Sequence, residues 1–134
     1  MADPVLKIED LNVGYETYRG RSSVIKNLNL EVQKGEKIGI IGESGCGKTT
    51  TMKTINRILP RNARITSGKV FFNGKNILEM NKKELINLRR NNVSMVPQDP
   101  TASLNPLFKV ETQMRDVLKY SKKEEVSLNI LLKI

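Results

Sequence analysis

Gly42-Glu43-Ser44-Gly45-Cys46-Gly47-Lys48-Thr49 fits G-x-x-x-x-G-K-S/T at every fixed position, which is the spacing of a phosphate-binding loop. Before it, Lys37-Ile38-Gly39-Ile40-Ile41 reads as a short buried strand. After it, residues 48–59 carry Met52, Ile55, Ile58 and Leu59 at helical spacing. Strand, loop and helix are the context in which the motif has its mechanism. Glycines remove the Cβ atoms that would keep the backbone from wrapping a polyphosphate. Successive N–H groups and the positive helix N-terminus can then point at the anion. In that geometry Lys48 reaches the β- and γ-phosphates, and the Thr49 hydroxyl ligates Mg²⁺.

Composition narrows the chemistry. A chain of 134 residues suits one soluble domain or part of one. No apolar run approaches the ~18 residues of a membrane span, and Met1-Ala2-Asp3-Pro4 does not open a charged-then-apolar signal, so a cytoplasmic location is expected. Cys46 is the single cysteine and there is no histidine. An internal disulfide and a Cys/His metal site are both excluded, so any metal is held on oxygen. The formal charge of +9 points to a polyanion. Nucleic acid is disfavoured, because many lysines sit beside acids (Lys82-Lys83-Glu84, Lys122-Lys123-Glu124-Glu125) and three Phe and three Tyr make no stacking platform. A nucleotide or an anionic membrane surface suits the charge as well.

Along the chain, residues 5–13 alternate loosely and precede the turn-rich stretch 14–23, which predicts a strand ending in a loop. Glu9 and Asp10 read as surface acids rather than Mg²⁺ ligands. Residues 24–32 alternate more cleanly, so two antiparallel strands lead into the one at Lys37. Pro60 stops the helix, and residues 61–67 read as a polar connection. Gly68-Lys69-Val70-Phe71-Phe72-Asn73-Gly74 predicts a strand closed by an Asn-Gly hairpin turn. A short amphipathic helix follows over residues 82–89, then a strand at Val93-Ser94-Met95-Val96 that Pro97 ends. Gln98 lies just past that strand, where an open α/β sheet faces its ligand, and is a candidate site residue. A Pro/Ser/Asn-rich loop over 99–106 leads to a helix over 110–120, and residues 126–134 are apolar.

The order of parts (Tyr15, the loop Gly-Glu-Ser-Gly-Cys-Gly-Lys-Thr-Thr, the strand Ser67-Gly68-Lys69-Val70, then Val96-Pro97-Gln98-Asp99-Pro100) resembles the ATP-binding subunit of an ABC transporter. The run Gln98-Asp99-Pro100-Thr101-Ala102-Ser103-Leu104-Asn105-Pro106 is similar to the glutamine-loop region of dipeptide, oligopeptide and nickel importer ATPases. The resemblance covers residues 5–118, the front half or so of such a subunit. It implies an α/β fold: a P-loop NTPase core of the ABC ATPase type with N-terminal antiparallel β-strands, incomplete at the C-terminus. In that scheme residues 1–134 are the N-terminal part of a single ABC ATPase domain. Its strands lie within 5–41, the phosphate loop at 42–49, the glutamine loop near 98, and a helical subdomain starts from about 101.

The same resemblance implies that Tyr15 stacks on adenine, with Tyr18 the lesser candidate. Gly42, Ser44, Gly45, Cys46, Gly47 and Lys48 hold ATP phosphates, Thr49 binds Mg²⁺, and Thr50 takes the α-phosphate. Gln98 touches the Mg²⁺ or the attacking water, which makes Lys48 and Gln98 the candidate catalytic residues. The implied partners are transmembrane permease subunits and a second ATPase subunit, with the chain peripheral on the inner face of the cell membrane. No nucleic acid is expected. The family's Leu-Ser-Gly-Gly-Gln-type signature, its apolar strand ending in Asp-Glu and its switch histidine do not occur in these 134 residues. ATP binding with little or no turnover is therefore expected of this chain. The alternatives are a non-transport ABC ATPase acting on nucleic acid and a non-catalytic fragment.

Overall fold

The computed structural model describes residues 3–99 and 101–120. The chain divides into two units, Met1–Lys82 and Lys83–Ile134. The apolar stretch at 126–134 lies outside the described residues.

The first unit is built on a four-stranded antiparallel sheet of order β2-β1-β3-β4. Its strands are β1 (Leu6–Thr17), β2 (Gly20–Val32), β3 (Ala63–Phe72) and β4 (Lys75–Asn76). The loose alternation of β1 has a physical origin. Ile8, Leu11 and Val13 are all buried, and the three-residue step from Ile8 to Leu11 marks a bulge, seen as register shifts against both β2 and β3. The extra residue is accommodated by positive φ at Asp10 (45°), Asn27 (47°) and Gly68 (98°). An amide cluster then closes the gap. The Asn12 Nδ2 lies within 3.0 Å of the Asp10 carbonyl, Asn27 Oδ1 and Ser67 Oγ, and so ties all three strands together. Asp10 is used here too, accepting from Asn29 Nδ2 at 3.0 Å, while Glu9 pairs with Lys7 at 2.9 Å.

Pairing stays irregular through Val13, with further register shifts at Leu11/Val13 and Val13/Gly14, and is regular from Gly14 to Thr17; Leu11 and Val13 are buried and Tyr15 half-buried. The expected loop from Gly14 is in fact strand. Tyr15 pairs with Ser22 on β2 and Ala63 on β3. The turn is only Tyr18-Arg19, where Thr17 Oγ1 donates to the Gly20 carbonyl at 2.7 Å. Tyr18 projects at this tip, 92% exposed, with the Arg19 guanidinium 5.2 Å above its ring. The connection expected over 61–67 is likewise strand from Ala63 onward. The Asn73-Gly74 turn forms as read, with φ of 46° and 76°.

The helix α1 (Lys48–Ile55) is shorter than expected and buries a different stripe. Thr50, Thr51, Thr54 and Ile55 face inward, whereas Ile58 is exposed. Threonine tolerates this because its hydroxyl can bond back along the helix: Thr51 Oγ1 to the Gly47 carbonyl at 2.9 Å, Thr54 Oγ1 to the Thr50 carbonyl at 2.8 Å. The helix stops five residues before Pro60 in a Schellman arrangement, with Ile58 N bonded to the Lys53 carbonyl and Arg57 N to the Thr54 carbonyl. Arg57 occupies the left-handed position (φ 50°), and its guanidinium donates to the Met80 carbonyl at 2.8 Å, an anchor glycine could not supply.

Residues 37–41 do not form the expected strand. A strand needs a ladder partner, and β1 to β4 pair only with one another. Ile38 and Ile40 are partly exposed and Ile41 is 98% exposed.

In the second unit, α2 (Lys82–Asn91) buries Leu88, and a short 3-10 turn spans Thr101–Ser103. The helix α3 (Val110–Tyr120) begins and ends where its periodicity predicts. Gln113 fixes the loop before it, accepting from Asn105 N and donating to the Asn105 and Phe108 carbonyls, each at 2.9 Å. The strand expected at 93–96 is absent for the same want of a partner, and Val96 is 91% exposed.

Candidate functional site

Gly47 is the N-cap of α1 and adopts φ 102°, a conformation open to glycine and strained for other residues. A Cβ there would also lie 3.2–3.3 Å from Val24 and Ile25 of β2, so glycine is needed both for the turn and for the approach. No side chain caps this helix end, and its first turn carries no acid. The first-turn N–H groups and the positive end of the helix dipole are thus left for an outside acceptor.

The Lys48 ammonium folds over the same loop. It donates to the Gly42 carbonyl at 2.5 Å and the Glu43 carbonyl at 2.7 Å, and lies 3.5 Å from Cys46 Sγ. Two backbone carbonyls therefore hold a full positive charge at the loop's rim, next to the uncapped helix end. Gly42, Ser44, Gly45, Cys46 and Thr49 are exposed around it, and the Cys46 thiol is free. The arrangement sets one cation beside an uncapped helix N-terminus on an exposed glycine loop, a combination suited to binding an anion. The Thr49 hydroxyl, exposed in the first turn, is a hard oxygen donor of the type Mg²⁺ takes.

The structure brings Tyr15 to the first turn of α1, just past the loop. Its hydroxyl lies 3.0 Å from Thr50 Oγ1, across 35 residues of sequence. Beside the loop, a groove of about 530 Å³ runs between β2 and residues 37–41, lined by Val24, Ile25, Leu28, Ile38, Ile40 and Ile41 and reaching Cys46 and Lys48. Its apolar walls suit packing rather than phosphate.

Gln98 belongs to the second unit, exposed in a bend. Its neighbour Asp99 is committed to local structure. The Thr101 hydroxyl (2.6 Å), with the Ala102 and Thr101 N–H groups, holds the Asp99 carboxyl below the usual carboxylate range. A carboxylate so stabilised is a weak proton acceptor.

Two contributors to the loop escape a reading of motifs. The Glu43 carbonyl holds Lys48, and the Thr51 hydroxyl closes the first turn onto Gly47. The run Thr49-Thr50-Thr51 was the available signal for the second; a backbone carbonyl carries none.

A family model described as ABC transporter matches residues 25–133. The dipeptide transport ATP-binding protein DppD of Lactococcus lactis subsp. cremoris is 36% identical over 121 residues, 90% of this chain and 35% of that protein. The oligopeptide transport ATP-binding protein OppD of Escherichia coli is 40% identical over 121 residues, again 90% of this chain and 36% of that protein. The chain thus spans about a third of the length of the curated relatives it matches. Among solved structures, dimeric MJ0796, a bacterial ABC transporter cassette, aligns with a TM-score of 0.75 at 24% identity, covering 91% of this chain and 50% of that one. At that identity the likeness speaks to the fold.

Proposed function

This chain belongs to the ABC transporter family, and from that premise we propose that it is the ATP-binding part of a subunit that powers import of dipeptides or oligopeptides. The observation that carries the ATP-binding half is the convergence of the Lys48 ammonium and the uncapped N-terminus of α1 on one glycine loop. The peptide half rests on the relatives' names, dipeptide and oligopeptide transport ATP-binding proteins.

In this reading the loop N–H groups from Gly42 to Gly47, with Ser44 at its crest, enclose the β- and γ-phosphates. Lys48 exchanges its two carbonyl partners for phosphate oxygens, and the Thr49 hydroxyl supplies one oxygen to a Mg²⁺ that neutralises the polyphosphate. Thr50 meets the α-phosphate, and the Tyr15 ring stacks on adenine. For Gln98 the family resemblance alone implies a role, in which its neutral amide would orient the attacking water or meet the Mg²⁺ without competing for the cation's charge. Transmembrane permease subunits and a second ATPase subunit are its partners, at the inner face of the membrane. No helix among the described residues is long and apolar enough to cross that membrane.

Cys46 offers a direct check, being exposed in the loop and the only thiol in the sequence. Saturating Mg-ATP should slow its alkylation by N-ethylmaleimide severalfold, whereas a rate indifferent to ATP would place the nucleotide elsewhere. The peptide half is tested in the host. Disrupting the gene should abolish uptake of a labelled oligopeptide, and unchanged uptake would remove that assignment.

A further inference from the structure

We propose that Tyr15 is a positioning residue for the phosphate half of the nucleotide site, acting through its hydroxyl on Thr50, separately from any stacking by its ring. The inference rests on the ATP-binding reading above.

Three threonines of α1 are buried, and two of them spend their hydroxyls on the helix itself. Thr51 bonds back to the Gly47 carbonyl and Thr54 to the Thr50 carbonyl. Thr50 is different. It is 7% exposed, and its Oγ1 meets the Tyr15 hydroxyl at 3.0 Å. When the phenol donates, the threonine oxygen is satisfied as acceptor while its own proton stays available to an anion at the helix N-terminus. The contact also holds the Thr50 side chain against the back-bonded geometry its two neighbours adopt.

Tyr15 is well placed to impose this. It stands on the inward face of β1, in register with Ser22 on one side and Ala63 on the other, so its backbone is held by two ladders. The sheet thereby sets the position of a first-turn hydroxyl that lies 35 residues away in sequence. A ring that only stacked on a base would need no hydroxyl and would be served equally by phenylalanine.

The test compares ATP with inorganic tripolyphosphate, both with Mg²⁺, on the 134-residue chain, because tripolyphosphate has no base to stack. Tyr15→Phe should weaken both ligands by a similar factor, about five- to tenfold, the loss expected for one hydrogen bond. Thr50→Val should do the same, Thr50→Ser should stay near wild type, and the Tyr15→Phe/Thr50→Val double variant should bind no worse than Thr50→Val alone. A Tyr15→Phe chain that binds tripolyphosphate as the wild type does overturns the proposal, even if its melting temperature falls, since that pattern marks a purely structural contact. Additive losses in the double variant overturn it as well. A measurement on the unsubstituted chain is independent of how the variants fold: tripolyphosphate should shift the Tyr15 ring ζ-carbon resonance, and an unmoved resonance overturns the proposal. Absence of any binding by the wild type would instead bring down the ATP-binding reading, and this inference with it.

Discussion

Lys48→Ala should lower affinity for Mg-ATP by about 100-fold or more and leave the melting temperature of the ligand-free chain nearly unchanged. The first half follows from the charge. Lys48 gives up hydrogen bonds to two neutral, exposed carbonyls for bonds to anionic phosphate, so the gain is the charge–charge attraction, about 4 kcal/mol for a pair at ~4 Å near a protein surface, and each 1.4 kcal/mol is a factor of ten. The second half follows from where the ammonium sits. Its partners, the Gly42 and Glu43 carbonyls, belong to exposed loop residues that water can solvate once the side chain is gone. Calorimetric titration and a thermal melt separate the two halves. Retained affinity would remove Lys48 from the site, and a collapse of the melt would make it a structural residue.

Gly68→Ala should be the most damaging change to the fold. A Cβ at this position would lie 2.5 Å from the Leu11 Cα and 2.7 Å from the Asp10 and Glu9 carbonyl oxygens. All three are backbone atoms of β1, which is paired on both sides and carries the fully buried Leu11, so the strand cannot retreat. Overpacking costs about 1–3 kcal/mol, and the φ of 98° adds backbone strain of a further ~1–2 kcal/mol. Together these cost about 2–5 kcal/mol, a large fraction of a typical domain stability of about 5–15 kcal/mol, so the unfolding midpoint should fall sharply. Gly74→Ala supplies the contrast, with φ 76° but no atom within 4 Å of its added methyl. It should cost only about 1 kcal/mol. Urea unfolding followed by far-UV circular dichroism compares them, and equal midpoints for the two variants would refute the tight bulge.

Signals carried by residues close in sequence were legible. The loop 42–49, the Asn73-Gly74 turn and the helix Val110–Tyr120 each depend on neighbours within a few positions, and each appears where it was read. The misreadings share a different cause. An apolar run such as 37–41 or 93–96 announces burial but says nothing of a ladder partner, and no described strand pairs with either. The bulge in β1 put Ile8 and Leu11 on one face at a spacing that matches no simple period, which hid the continuation of the strand through Tyr15. The face of α1 was missed because its buried residues are threonines, polar in composition but satisfied by back-bonding and, at Thr50, by Tyr15. At the candidate site, the glycines, Lys48 and Thr49 follow from the motif and Thr50 from the resemblance, whereas the Tyr15–Thr50 contact spans 35 residues and has no local signature. Gln98 lies in the second unit, and its role stands on resemblance.

The central claim is that the loop around Lys48 is a nucleotide phosphate site, and the melting temperature of the unsubstituted 134-residue chain as a function of Mg-ATP concentration tests it most directly. A ligand that binds only the folded state stabilises it by RT ln(1 + [L]/Kd), so above Kd each tenfold rise in Mg-ATP should add about 1.4 kcal/mol and a further step in the midpoint. Lys48→Ala in parallel should stay flat until Mg-ATP is about 100-fold more concentrated than the wild type requires. A wild-type midpoint that does not move with Mg-ATP, or one that rises equally in both proteins, would contradict the account.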